Sequence, residues 1–251
     1  MTDRNLRFAG RRIYLTGAAS GIGRATARIL ALGGARLALV DVNEEGLNAV
    51  AAETRGVVLP TDLRDGAAID RSVAQAAEQL GGLDGVVNCA GVPSGGLIDQ
   101  LSPEEWDRVV AINLTAPYRV CRAAVPHLRR EARGSIVNVA SGVGLLPTAA
   151  GATAYAASKG GLIAFTRALA KDVGPGIRAN CVCPGVAETP MTERILHSQD
   201  AASAAAFVAQ YTLNRVADAA EIAEGIAFLL SDEASFVTGS TLSVDGGRVF
   251  H

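Results

Sequence analysis

Tyr155-Ala156-Ala157-Ser158-Lys159 places a phenol and an ammonium four residues apart within a strongly helical run. Residues at that spacing share one helix face, so the lysine charge can lie close to the tyrosine oxygen. A free phenol, with a pKa of about 10, is a poor base near neutral pH. A fixed cation favours phenolate, and each unit of downward shift needs about 1.4 kcal/mol of differential interaction. The pair therefore suits moving a proton to or from a substrate hydroxyl. Many solvated helix faces carry the same spacing, so its weight depends on the other motifs of the chain.

Near the other end, Arg12-Ile13-Tyr14-Leu15-Thr16 reads as a short buried strand, and Gly17-Ala18-Ala19-Ser20-Gly21-Ile22-Gly23 follows it directly. A helix is expected over Arg24 to Leu30. A glycine-rich turn between strand and helix lets backbone approach a pyrophosphate, and the helix N-terminus offers unpaired N–H groups and a favourable dipole. The spacing is G-x-x-x-G-x-G rather than G-x-G-x-x-G. A tight structural turn would account for it equally well on its own.

Asp41 ends the next apolar run, Leu37 to Val40, eighteen residues beyond Gly23. A carboxylate there can accept hydrogen bonds from adenosine ribose hydroxyls and would repel a 2′-phosphate. Between Gly17 and Gly21 there is no arginine or lysine to neutralise such a phosphate. The expected cofactor is NAD(H) rather than NADP(H). The competing reading makes Asp41 a cap for the helix beginning near Asn43 and Glu44.

The 251 residues are 49% apolar and include 28 glycines, enough for a sizeable core with many tight turns. A formal net charge of −2 without a basic run gives no support to a nucleic-acid or anionic-membrane role. No apolar stretch follows the N-terminal charges, so no secretory signal is expected. Gly134 to Ser158 is uncharged but broken by Pro147, glycines and polar residues, and is not a membrane span. Cys89, Cys121, Cys181 and Cys183 lack zinc-site spacing and read as small apolar residues in a reducing compartment, with Cys181 and Cys183 on one side of a strand. No metal is expected, and His127, His197 and His251 receive no role. The expected location is cytoplasmic.

Short apolar runs at Arg36 to Val40, Gly56 to Leu59, Leu83 to Asn88, Ser135 to Ala140, Ile177 to Val182 and Thr241 to Val244 alternate with helical patterns. Ser102-Pro103-Glu104-Glu105 and Asp218-Ala219-Ala220-Glu221 supply helix starts of the capping-box kind. Such alternation predicts an α/β fold with a parallel sheet covered by helices on both faces. With no linker or repeat, residues 1–251 read as one doubly wound, Rossmann-type domain.

Taken together, the segments Thr16 to Gly23, Asn88-Cys89-Ala90-Gly91, Asn113, Ser141, Tyr155 to Lys159 and Pro184-Gly185 resemble the short-chain dehydrogenase/reductase family, in its order and over nearly the whole chain. The resemblance implies about seven strands. It implies that Tyr155 is the acid/base, that Lys159 lowers the phenol pKa and holds the nicotinamide ribose, and that Ser141 hydrogen-bonds the substrate oxygen. Asn113 would complete a proton relay through water to Lys159. The cofactor would meet Gly17, Ser20, Gly21 and Ile22 at the pyrophosphate turn, Asp41 at the ribose, and Asp62-Leu63 at the adenine. Asn88, Ala90 and Gly91 would pass close to it. Pro184, Gly185, Val186, Thr189 and Met191 would line the carboxamide and pyrophosphate. Cys89 stands where the family more often has a second asparagine, and Ser141 and Tyr155 are one residue further apart than its common pattern. The extra residue is placed in the Gly142 to Thr153 loop.

Residues 186–215 are expected to form a substrate lid, with Arg194 and Arg215 as solvated charges. The family also implies a homotetramer built on the Tyr155 helix, its neighbour from Asn113 to Arg130, and the C-terminal strand. The leading functional expectation is an NAD(H)-dependent oxidoreductase interconverting a secondary alcohol and a ketone. A 3-oxoacyl-[acyl-carrier-protein] reductase is the near alternative, and a catalytically silent dinucleotide-binding regulator the distant one.

Overall fold

In the computed structural model, residues 6–131, 133–147, 150–193, 196 and 201–249 are described, the last range without the side chains of 201–204. Residues 1–5, 132, 148, 149, 194, 195, 197–200, 250 and 251 lie outside the described residues, and with them Arg194, His197 and part of the expected lid. Strands and helices alternate as β1 (Arg12–Thr16), α1 (Gly21–Leu32), β2 (Arg36–Asp41), α2 (Glu44–Thr54), β3 (Val57–Pro60), α3 (Gly66–Leu80) and β4 (Gly85–Asn88). Helix α4 (Pro103–Val110) runs through a π-helical turn, Ala111–Thr115, into α5 (Ala116–Leu128). The chain continues through β5 (Gly134–Val139), α6 (Thr153–Val173), β6 (Ile177–Pro184), α7 (Ala201–Val208), α8 (Ala219–Leu230) and β7 (Thr241–Val244).

The seven strands make one parallel sheet in the order β3-β2-β1-β4-β5-β6-β7. From β1 the chain works outward on one side and resumes on the other at β4, so a crevice opens where the direction reverses. Thr16 lies beside Asn88 in register, and Asn88 beside Asn138. The carboxyl ends of β1, β4 and β5 are thus aligned at that crevice.

Period-two alternation assigns the two faces of the sheet. Ile13, Leu15, Leu37, Leu39 and Val137 pack with α1, α2 and α8 through Leu30, Leu47, Ile222 and Ile226. Tyr14, Ala38, Val40, Val86 and Ile136 pack with α3, α5 and α6 through Ile69, Val120, Leu169 and Val173. Strands buried on both faces read as continuous apolar runs, as these do. Cys181 and Cys183 share a smaller cluster with Ala140, Leu162 and Ile163, on the same side of β6 as expected.

Two helix starts differ from each other. Asp218 and Glu221 make the full reciprocal capping box at α8. At α4 the Ser102 hydroxyl accepts from the Glu105 N–H at 3.2 Å, but the Glu105 carboxylate pairs with Arg108 at 2.7 Å instead of returning to the cap. The π-helical turn before α5 has no periodicity signal of its own. Gly160 and Gly161 of α6 face Gly144 and Leu114 of the same chain.

Candidate active site

The turn after β1 is shaped by two close approaches. Gly17 has φ +69°, and a Cβ there would lie 2.7 Å from the Ala90 nitrogen. A Cβ on Gly23 would lie 1.9 Å from the Gly17 carbonyl oxygen, so only glycine permits the turn to close on α1. Ser20 precedes α1 in extended conformation and makes no side-chain cap, which leaves the first-turn N–H groups of the helix for an anion. The Thr16 hydroxyl accepts from the Cys89 and Ala90 N–H groups at 3.1 and 3.2 Å, tying the end of β1 to the turn after β4. The sequence reading gave this hydroxyl no separate role.

A cleft of about 510 Å³ runs from this turn across the ends of the strands. Gly17, Ser20, Gly21, Ile22, Asp41, Asp62, Leu63, Ala90 and Gly91 line one part of it. Ser141, Tyr155, Lys159, Pro184, Gly185, Thr189 and Met191 line the other. Three expected site residues stand behind the wall. Asn88 is 2% exposed and donates to the Asn138 oxygen at 2.8 Å. Asn113 is fully buried. Val186 is buried, and its N–H donates to the Tyr211 hydroxyl at 3.3 Å.

Asp41 accepts from the Ala19 N–H at 3.2 Å and the Asn43 N–H at 3.1 Å. The N-cap of α2 is Asn43, whose side chain accepts from the Gly46 N–H, so the capping alternative for Asp41 is not used. Asp62 is gripped by the Arg64 guanidinium, which holds its carboxyl below the usual range. Arg64 and Arg108 also line the cleft. Neither stood out in the sequence, because each is identified only by its partner.

Tyr155 and Lys159 lie one turn apart on α6, with the Lys159 Nζ 5.8 Å from the phenol ring centre. Lys159 is 3% exposed and donates to the Val139 carbonyl, at the end of β5, at 2.8 Å. Ser141 leads the turn after β5, accepting from the Val143 N–H at 3.2 Å, with its hydroxyl near enough to the phenol to pull the phenol pKa down. A Cβ on Gly91 would sit 3.2 Å from the Lys159 Nζ and 3.4 Å from the Asn113 Oδ1, so these groups meet around one glycine.

Burial is the largest influence on both Tyr155 and Lys159. Withdrawal from water pushes the Tyr155 phenol above its ordinary value, the Ser141 hydrogen bond pulls it down, and the thiols of Cys183 and Cys89 add to the rise. The same desolvation drives the Lys159 ammonium below its ordinary value. Among the described residues, no group of three or more His, Cys, Asp or Glu could hold a metal ion, and no helix is long and apolar enough to cross a membrane.

A family model described as enoyl-(acyl carrier protein) reductase matches residues 17–248. The chain is 38% identical to the 3-oxoacyl-[acyl-carrier-protein] reductase FabG of Thermotoga maritima, over 97% of this chain and 100% of that protein. It is 36% identical to the 2,5-dichloro-2,5-cyclohexadiene-1,4-diol dehydrogenase LinX of Sphingobium indicum, over 96% and 97%. A short chain dehydrogenase from Burkholderia cenocepacia, solved in complex with NADP, superposes with a TM-score of 0.90 at 34% identity, over 96% and 99%.

Proposed function

Since the chain belongs to the short-chain dehydrogenase/reductase family, and is an oxidoreductase acting on CH–OH groups, we propose that it is NAD(H)-dependent and interconverts a secondary alcohol and a ketone. The observation that carries this is the convergence of the Tyr155 phenol, the Ser141 hydroxyl and the Lys159 ammonium on a cleft whose far end carries the Asp41 carboxylate. The chain fits a dinucleotide: Gly17 and Gly23 let the turn close tightly against Ala90 and α1, and the start of α1 presents uncapped N–H groups. Gly17, Ser20, Gly21 and Ile22 would hold the pyrophosphate, Asp41 the ribose, and Asp62 and Leu63 the adenine. Ala90, Gly91, Pro184, Gly185, Val186, Thr189 and Met191 would flank the remainder. The side chain of Asn88 is spent inside the sheet, so that residue contributes through its backbone.

The bound dinucleotide supplies or accepts the hydride. Tyr155 takes the hydroxyl proton during oxidation and returns it during reduction. Ser141 hydrogen-bonds the same substrate oxygen and orients it. Lys159 keeps N–H groups for the ribose beyond the one given to Val139. Asn113 spends its side chain on Val92 and Ser158. We assign Asn113 to the relay through water to Lys159.

Asp41 argues against a 2′-phosphate, and so against the NADPH-dependent 3-oxoacyl-[acyl-carrier-protein] reductase reading that the relative from Thermotoga maritima favours. The complete set of Asn113, Ser141, Tyr155 and Lys159 argues against a silent regulator. Within the single domain of residues 1–251, residues 186–215 act as the lid, rooted where the Leu213 N–H donates to the Gly246 carbonyl at 3.0 Å. We further place the protein in the cytoplasm as a homotetramer. Exposed Trp106 and Tyr118 near α5, and fully exposed Phe236 before the edge strand β7, supply apolar surface for it. Binding of NADH and of NADPH, followed by a panel of neutral ketones, acyl thioesters and secondary alcohols, tests the reading. NADH preference with turnover of a simple ketone supports it. NADPH preference with turnover of acyl thioesters alone replaces it with the carrier-protein reductase.

A further inference from the structure

Helix α6 begins without a cap of its own. Its N-cap residue is Ala152, which has no side-chain acceptor to offer. Tyr155 is the third residue inside the helix, and its N–H belongs to the group that a Ser, Thr, Asp or Asn at the N-cap normally satisfies. Here that N–H donates to the Ser94 hydroxyl at 3.1 Å, from a residue sixty-one positions earlier in the chain. The opposite side of the same residue is also held, because the Ser158 hydroxyl donates to the Tyr155 carbonyl at 2.8 Å.

These two serines close a ring. Asn113 donates to the Ser158 hydroxyl at 3.1 Å, and brackets Val92 by accepting from its N–H at 2.8 Å and donating to its carbonyl at 3.0 Å. Arg108 donates to the Pro93 carbonyl at 3.0 Å, and Ser94 comes next. One residue before Val92, Gly91 abuts the Lys159 Nζ. Farther along, Gly96 lies beside Gly151, just ahead of α6. The segment from Gly91 to Gly96 is therefore a strap fastened at successive residues, with the cofactor-facing turn at one end and Tyr155 at the other.

We infer that Ser94 is a positioning residue for the acid/base: a helix cap supplied from the strap, which sets where the Tyr155 phenol sits relative to Ser141 and ties it to the Ala90-Gly91 turn. This rests on the reading of Tyr155 as the acid/base. Loss of the cap lets the first turn of α6 shift. A displaced phenol moves away from the Ser141 hydroxyl, whose proximity lowers its pKa, so the phenol titrates at higher pH and oxidation slows at any fixed pH.

The test compares Ser94→Ala and Ser94→Thr with the wild type, each also carrying Tyr155→Phe as a blank. The readouts are kcat and KM for a substrate found in the panel, the NADH dissociation constant, the melting temperature, and the tyrosinate absorbance difference between each protein and its blank. That last titration needs no substrate. Ser94→Ala should lower kcat by about fivefold to tenfold, the rate equivalent of one lost cap. KM and NADH binding should stay within about twofold, and the Tyr155 midpoint should move upward. Ser94→Thr should restore both.

An unchanged kcat and midpoint in Ser94→Ala overturns the inference. A kcat loss that Thr does not rescue, matched by lost NADH binding and melting temperature, reduces Ser94 to a structural role and also overturns it. Retained turnover in Tyr155→Phe would instead overturn the acid/base reading, whatever Ser94 does.

Discussion

Replacing Asp41 by Asn removes one charge with almost no change in size, and cofactor choice should respond strongly. In the wild type the carboxylate accepts two backbone N–H groups and faces the cleft. A 2′-phosphate carries about −1.5 to −2 charges near neutral pH. Unit charges about 4 Å apart interact by about 1 kcal/mol in water and about 4 kcal/mol at an effective dielectric constant of 20. The half-buried Asp41 lies between those limits, so removing its charge should tighten NADPH binding by about 2 kcal/mol, or roughly thirtyfold. NADH exchanges a charge-assisted hydrogen bond for a neutral one, losing about 1 kcal/mol, or roughly fivefold. The NADPH-to-NADH preference should therefore move by about two orders of magnitude. Because Asn can accept through only one oxygen, one backbone N–H loses its acceptor and stability falls by about 1 kcal/mol. Fluorescence titration with each reduced cofactor reads the ratio. A wild-type protein that prefers NADPH, or an unchanged ratio in Asp41→Asn, would refute the reasoning.

Gly23→Ala places a methyl where the Gly17 carbonyl now sits 1.9 Å away, so NADH binding should fall by at least about a hundredfold. Titration of the purified variant measures that loss, with a lowered melting temperature beside it. Arg178→Met removes a guanidinium that donates to the carbonyls of Leu229 and Ser231 at 2.9 Å and of Val237 at 3.3 Å, at the end of α8. Urea unfolding should show about 2 to 4 kcal/mol of destabilisation, with NADH affinity unchanged. Burial pushes the Tyr14 phenol up to about 12, and the phenol lies 2.6 Å from the Ser72 hydroxyl. A folded pKa above the unfolded value gives stability that is complete below about pH 10 and lost as pH rises towards about 12, at most about 2.7 kcal/mol. Between about pH 8 and pH 11, Tyr14→Phe should lose less stability than the wild type in urea unfolding.

Much of the site could be read from the sequence because its signals are local. The four-residue step from Tyr155 to Lys159, the glycine turn after β1 and the apolar strand runs each follow from one element's own geometry. What escaped detection depends on meetings between distant segments. The Ser94 hydroxyl caps a helix sixty-one residues away, and Arg178 closes the end of a helix on another layer. Asn88 turns inward because Asn138 happens to be its register partner. The π-helical turn at Asn113 leaves no mark on hydrophobic periodicity. The burial of Tyr155 and Lys159, which raises the phenol pKa and lowers that of the ammonium, is likewise something that spacing cannot convey.

The central claim is that the Tyr155 phenol handles the proton while the reduced nicotinamide gives up its hydride. Its most direct test is ketone-dependent loss of the reduced-nicotinamide absorbance in the wild type and in Tyr155→Phe, with NADH binding measured on both. The account predicts that binding stays within about threefold while turnover falls by about a hundredfold to ten-thousandfold. Turnover that survives the loss of the hydroxyl would contradict it.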